Sequence, residues 1–199
     1  MTKYTGGLIP GIETYLQGKT NRRFGLLIID EQDSSNTLSQ RTIDQQRIIA
    51  FAQEMKFKSV MIELNPAMTT AGRHPTNNDL AKMLPPDTPV FFKIGMNAFG
   101  IIDASGKSLG NNRGKSLLDT LLRSAGINEL IVMGQMGEMC VNRTVVGGYD
   151  NHMNQGPRID GAIDLGYQVW ICPQIINSDK KSWLSWYDDF GVKCYTAVS

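Results

Sequence analysis

Three side chains in this sequence could together form a nucleophilic centre. Cys140 lies in Leu130-Ile-Val-Met-Gly134-Gln-Met-Gly-Glu-Met-Cys140-Val141, an apolar run that stops at a glycine and restarts in helical pattern. This puts a thiol at the carboxyl end of a strand, on the loop entering a helix. Unpaired N–H groups and the positive end of the helix dipole favour thiolate there. Asp30 and Lys93 each close an upstream apolar run, Phe24–Asp30 and Pro89–Lys93. A carboxylate can take the thiol's proton and return it to a leaving nitrogen. An ammonium can stabilise carboxylate and thiolate together, or orient a substrate. The glycine-containing loop can offer N–H groups to a developing oxyanion, each worth roughly 3–4 kcal/mol in the transition state. This set predicts attack on a carbonyl carbon, loss of ammonia or an amine, then hydrolysis of the thioester by water activated through Asp30.

Each residue alone has a plainer reading. An Asp ending a strand often bonds a loop, a Lys there is usually a solvated charge, and a free Cys is usually buried and inert. Cys172 and Cys194, within expected strands, fit that description. What gives the trio weight is its delivery to one place.

That delivery depends on the elements around it. Phe24–Asp30, Ser59–Leu64, Pro89–Lys93, Leu130–Gly134, Gln168–Cys172 and Val192–Ala197 are short, β-rich apolar runs and predict six strands. Helical patterns fall at 38–56, Asp79–Leu84, Lys115–Ala125, from Cys140, Ile159–Leu165 and Lys181–Phe190. Alternation of this kind predicts an α/β fold, a three-layer α/β/α sandwich on a mostly parallel six-stranded sheet. Functional residues then gather at the carboxyl ends of the strands, where Asp30, Lys93 and the Cys140 loop all fall. With 199 residues the chain reads as one domain, and the first 23 as an extension packed on it or on a partner.

Composition narrows the classes. Twenty basic against 19 acidic residues, with no charged block, give no sign of nucleic-acid or membrane partners. The first ten residues lack the apolar core of a signal peptide, and no apolar run is long enough to span a bilayer. Three widely spaced cysteines make no disulfide framework, so a reduced, cytoplasmic setting is expected.

Four segments in order resemble the isochorismatase-like cysteine hydrolases, which include nicotinamidases and N-carbamoylsarcosine amidohydrolases. Leu27-Ile-Ile-Asp30-Glu-Gln32 is similar to an apolar strand ending in D-x-Q. Lys93-Ile-Gly-Met-Asn97-Ala98-Phe99 resembles K-x-x-x-(S/N)-A-F. Gly134-x5-Cys140-Val141-x2-Thr144 resembles the nucleophile elbow G-x5-C-V-x-x-T, and Gly166-Tyr167-x-Val169 the G-Y-x-V that follows. The resemblance runs from Leu26 to about Asn177. It implies the same sandwich fold, a triad of Asp30, Lys93 and Cys140, and an oxyanion hole from the N–H groups of Met136 and Cys140. It also implies a cis peptide between Gln135 and Met136, and assembly into dimers or larger homo-oligomers. Asn65, Asn97, Phe99, Met136, Glu138 and Arg143 are the expected substrate-binding residues, on a small molecule bearing an amide, ureido or carbamoyl group.

The sequence departs from that pattern in two places. Where nicotinamidase-type relatives carry D-x-H-x-H, this chain has Glu63-Leu-Asn65-Pro-Ala-Met. Its two histidines, His74 and His152, are far apart, so neither a metal nor any other cofactor is expected. Isochorismatases of this fold characteristically lack the cysteine, so Cys140 favours C–N over ether cleavage. After Thr144 the stretch to Asp160 is long and glycine-rich; Gly147, Gly148, Gly156 and Pro157 should break the helix. It reads equally as a substrate-shaping or interface loop and as a surface insertion. Gly110-Asn-Asn-Arg-Gly114-Lys115-Ser116 is one residue short of a phosphate loop and follows no strand, so it reads as a solvated helix start. Trp183, Trp186 and Tyr187 share a helical spacing that suits packing, or an oligomer interface. Two other classes remain open: a non-catalytic interaction protein on the same scaffold, and an ether hydrolase that makes no covalent intermediate.

Overall fold

The computed structural model describes residues 3–32, 39–65, 75–93, 95–102, 116–149, 158–178, 187 and 189–199. In chain order, β1 (Lys3–Gly7) leads into α1 (Leu8–Leu16), β2 (Phe24–Ile29), α2 (Gln40–Glu54) and β3 (Lys58–Leu64). Then come α3 (Asn78–Ala81), β4 (Val90–Lys93), β5 (Ile101–Ile102), α4 (Leu117–Ser124) and β6 (Glu129–Gln135). A π-helical turn over Gly137–Val141 precedes α5 (Asn142–Val146), a hairpin of β7 (Gly148–Tyr149) and β8 (Arg158–Ile159), and β9 (Gln168–Ile171). β10 (Ile176–Asn177) and β11 (Lys193–Ala197) complete the chain.

Nine strands form one sheet in the order β1-β11-β9-β6-β2-β3-β4-β5, with β10 also paired to β6. Every pairing is parallel except β4 with β5. The central strands explain why. All six residues of β2 and the first six of β6 are buried, so the sheet is covered on both faces. A strand in that position is a continuous apolar run without alternation, which is how Phe24-Gly-Leu-Leu-Ile-Ile29 reads. The six expected strands are all present. The three additional ones escape a reading by periodicity because β5 and β10 have two residues each and β1 contains Gly6-Gly7.

Local chemistry sets the helix ends. The Ser39 hydroxyl accepts from Thr42 N–H at the start of α2, and Ser116 accepts from Asp119 N–H at the start of α4. α2 turns Ile48, Ile49, Phe51 and Ala52 inward. Its end is a Schellman closure, Phe57 N–H to Ala52 O and Lys56 N–H to Gln53 O, with Lys56 left-handed at φ 56°. α5 stops at Gly147, φ 75°, as the glycine spacing predicts.

The helix expected at Ile159–Leu165 is corrected by the structure. Ile159 pairs with Gly148 in the hairpin, and the following residues form turns. Asp164 Oδ2 accepts from Gly161 N–H at 2.9 Å and from Arg158 Nη2 at 2.6 Å, which holds the backbone in the turn. Gly161 is needed there because a Cβ would fall 2.1 Å from Gly147 N. Of Lys181–Phe190 only Tyr187, Asp189 and Phe190 are among the described residues, and Tyr187 is buried. Trp183, Trp186, both histidines and most of Gly110–Ser116 lie outside them. No helix of the described residues is long and apolar enough to cross a membrane.

Candidate active site

Sheet order brings Asp30, Lys93 and Cys140 to one edge. β6 and β2 are neighbours, with Ile29 in register with Gly134, and β4 lies one strand beyond β3. Lys93 must therefore span two strand spacings, roughly 10 Å, to reach Asp30, and a lysine stem is long enough once it is buried. Its side chain is fully buried, and Nζ lies 2.8 Å from Asp30 Oδ2. The same ammonium donates to Gly95 O at 2.8 Å and contacts Cys140 Sγ at 3.4 Å. Three N–H donors thus meet three acceptors, which a buried ammonium requires.

Asp30 follows β2 directly and has left-handed backbone, φ 52°, while its N–H still bonds Ile62 O at 2.8 Å. Such a conformation costs a side-chain-bearing residue roughly 1–2 kcal/mol, and Asp is among the few that adopt it. One carboxylate oxygen faces Lys93. The other, Oδ1, is buried with no hydrogen-bond partner among the described residues, and this carboxyl group acts on the Cys140 thiol.

Gly134 turns the chain toward Cys140. Its φ is 137°, and a Cβ there would lie 2.1 Å from Ile29 O, so only glycine lets β6 run this close to β2. The Gln135–Met136 peptide is cis, where the family resemblance implies it. Met136 O then accepts from Met139 N–H at 3.0 Å and Val141 N–H at 3.1 Å, winding residues 137–141 into the π turn that holds Cys140.

Burial is the largest influence on the thiol and pushes it up to about 11; Lys93 pulls it down and Asp30 pushes it further up. This direction is opposite to the one a helix N-terminus would impose. Cys140 sits inside the π turn rather than at a long helix's free N-terminus, and desolvation dominates. Burial works against the Lys93 ammonium, yet Asp30 and Cys140 outweigh it and raise the group above its ordinary value. Lys93 is thus held toward its charged form and Cys140 toward its neutral thiol.

The remaining expected site residues fall in two groups. Asn65 follows β3, buried beside the trio, with its N–H on Lys93 O at 2.8 Å. Met136, Glu138 and Arg143 are half-buried around the nucleophile turn; Glu138 accepts from Ser178 Oγ, and Arg143 packs beside Gly148. Asn97 and Phe99, by contrast, are held in the fold. Asn97 donates to Asp160 O at 3.2 Å and accepts from Phe99 N–H at 2.9 Å, and Phe99 is buried against Tyr167 with ring centroids 6.2 Å apart. Thr144 of the nucleophile helix accepts from Ala98 N–H at 3.0 Å, tying this segment to α5.

Sequence reasoning missed two supports. Gln135 Nε2 donates to Asp30 O at 2.6 Å and its Oε1 accepts from Asn177, linking the ends of β2, β6 and β10. Glu31, buried next to Asp30, accepts from Arg41 and from Gln45 at 2.7 Å. Burial raises its pKa, and Arg41 and Gln45 oppose the shift. Neither residue belongs to a chemical pattern, and only the packed strand ends reveal what they hold.

Known structures share this architecture. A nicotinamidase from Staphylococcus aureus matches with TM-score 0.60 at 16% identity, over 90% of this chain and 100% of its own. An N-carbamoylsarcosine amidase from Thermoplasma acidophilum matches at 0.59 and 12%, over 87% and 95%. A ribonuclease from Caenorhabditis elegans matches at 0.62 and 17%, over 89% and 79%. At these identities the likeness is one of fold. No curated protein matches the sequence significantly. The family model for the isochorismatase domain matches residues 26–154, well over half the chain and spanning Asp30, Lys93 and Cys140. The chain belongs to the isochorismatase family.

Proposed function

We propose that the protein is a cysteine-dependent hydrolase of the C–N bond in a small amide, ureido or carbamoyl compound. The observation carrying this reading is the contact set of buried Asp30, buried Lys93 and half-buried Cys140 at the carboxyl edge of the sheet. Family membership supports hydrolysis, and the nicotinamidase and amidase among the structural neighbours favour nitrogen as the leaving atom.

In this mechanism the Cys140 proton passes to Asp30 Oδ1 as Sγ attacks the carbonyl carbon. Proton transfer concerted with attack suits a thiol that rests protonated. The oxyanion takes hydrogen bonds from the N–H groups of Met136 and Cys140. The intermediate collapses with cleavage of the C–N bond, and Asp30 returns the proton to the departing nitrogen. Water then gives a proton to Asp30 and attacks the thioester, the acid product leaves, and Sγ recovers its proton. Lys93 keeps Asp30 oriented and offsets negative charge at the thiol throughout. Asn65, Glu138 and Arg143 select the substrate, with Asn97 and Phe99 fixing the walls behind them. The active form is a homo-oligomer.

Ammonia or amine release across a panel of small amides, ureido and carbamoyl compounds tests the reading. At least one should turn over, with Cys140→Ala and Asp30→Asn each losing about 10²-fold or more. Unchanged turnover in Cys140→Ala would favour non-covalent ether-type chemistry. Inactivity of the wild type across the panel would favour a non-catalytic scaffold.

A further inference from the structure

The opposite, amino edge of the sheet gathers positive charge that the sequence scatters. Arg22 and Arg23 precede β2, while Lys56 and Lys58 flank Phe57 at the entry to β3. β2 and β3 are neighbours, with Gly25 in register with Lys58, so the two pairs meet. They line a cavity of about 360 Å³ walled by apolar groups that include Phe57 and Ile127. Among the described residues, none that lines it is acidic. All four cations are exposed, and among the described residues only Arg22 has an ion pair, to the buried Glu129 at 3.2 Å. Phe57 is fixed by stacking on Phe24 at 5.1 Å and by an edge contact with Phe51 at 5.7 Å.

Lys56 adds an independent observation. It occupies the left-handed C′ position of the Schellman closure, where glycine is the usual and cheaper residue. Lys56 lines the cavity from that position, and a side-chain-bearing residue held in left-handed backbone is a pointer to function.

We infer that this cavity is a second ligand site, for a small phosphorylated molecule that also carries an apolar ring, of the nucleotide class. Its volume lies in the ordinary range for small-molecule sites. Arginine and lysine supply the charge-assisted donors that phosphate oxygens take. The apolar wall gives a ring a place that a bare inorganic anion would leave empty. Phe24 and Asp30 stand at opposite ends of one strand, six residues or about 20 Å apart, so the site is separate from the catalytic edge.

Calorimetric titration of the full chain with ADP, inorganic pyrophosphate and adenosine tests this. ADP should bind more tightly than either of the other two, and weaken as salt rises. Arg23→Gln combined with Lys58→Gln should cost at least about tenfold in affinity. Lys56→Gly should also weaken ADP binding while raising the melting temperature, a pair of effects that misfolding cannot mimic. Cys140→Ala should bind ADP as the wild type does. The inference is overturned if ADP does not bind, if pyrophosphate binds as well as ADP, if the charge variants bind unchanged, or if Cys140→Ala loses ADP.

Discussion

Cys140 has a cation and a carboxylate beside its thiol, and their opposed pulls leave burial to set its resting state. Alkylation follows the thiolate, whose fraction grows about tenfold per pH unit until the pKa is reached. With the thiol pushed up to about 11, iodoacetamide labelling of Cys140 should climb steadily from neutral pH to about pH 10 without a plateau. Peptide mapping against pH measures this, and a plateau near pH 7 would contradict the electrostatics described here. Cys172 should label more slowly at every pH, since it is fully buried and pushed by that burial up to about 12. The placement of Asp30 and Lys93 could be read from the sequence because each closes an apolar run, and that of Cys140 because it follows such a run after a glycine. The resting protonation state could not, because it depends on desolvation, which sequence spacing does not express. The orientation of Asn97 and Phe99 was not legible for a related reason. Proximity to Lys93 in sequence says nothing about whether a side chain turns toward the site or, as Asn97 does, toward the backbone of Asp160.

At the scale of elements, the approach of β6 to β2 brings the Cys140 turn to the end of the strand that carries Asp30. Gly134 is the narrowest point of that approach. Gly134→Ala would put a methyl group against Ile29 O and force φ 137° on a residue with a side chain. It should destabilise the protein by about 2 kcal/mol or more and reduce activity beyond the loss of folded protein, as urea melts and turnover of the folded fraction would show. Wild-type stability in this variant would mean that the two strand ends are less constrained than described. Strands with a continuous apolar run, such as Phe24–Ile29, could be read from the sequence because burial on both faces leaves that signature. The two-residue strands could not, being shorter than any period. Nor could the turn at Gly161–Leu165, where the Asp164 carboxylate accepts from Gly161 N–H and overrides helical spacing.

At the scale of the whole molecule, strand direction divides the work. Carboxyl ends assemble the Asp30–Lys93–Cys140 centre, while amino ends collect Arg22, Arg23, Lys56 and Lys58 around a separate cavity. A near-neutral composition conceals this polarity, because charge separated along the chain becomes adjacent only when β2 and β3 pair. The central claim concerns the first edge: Cys140 carries the acyl or carbamoyl group of the substrate between two half-reactions. The most direct measurement is intact-protein mass spectrometry of rapidly acid-quenched turnover, using a substrate found in the panel and peptide mapping of any adduct. The account predicts a transient mass increase equal to the substrate's acyl or carbamoyl group, located on Cys140 and absent from Cys140→Ala. Turnover with no adduct on Cys140 at any quench time, and with activity retained in Cys140→Ala, would contradict it.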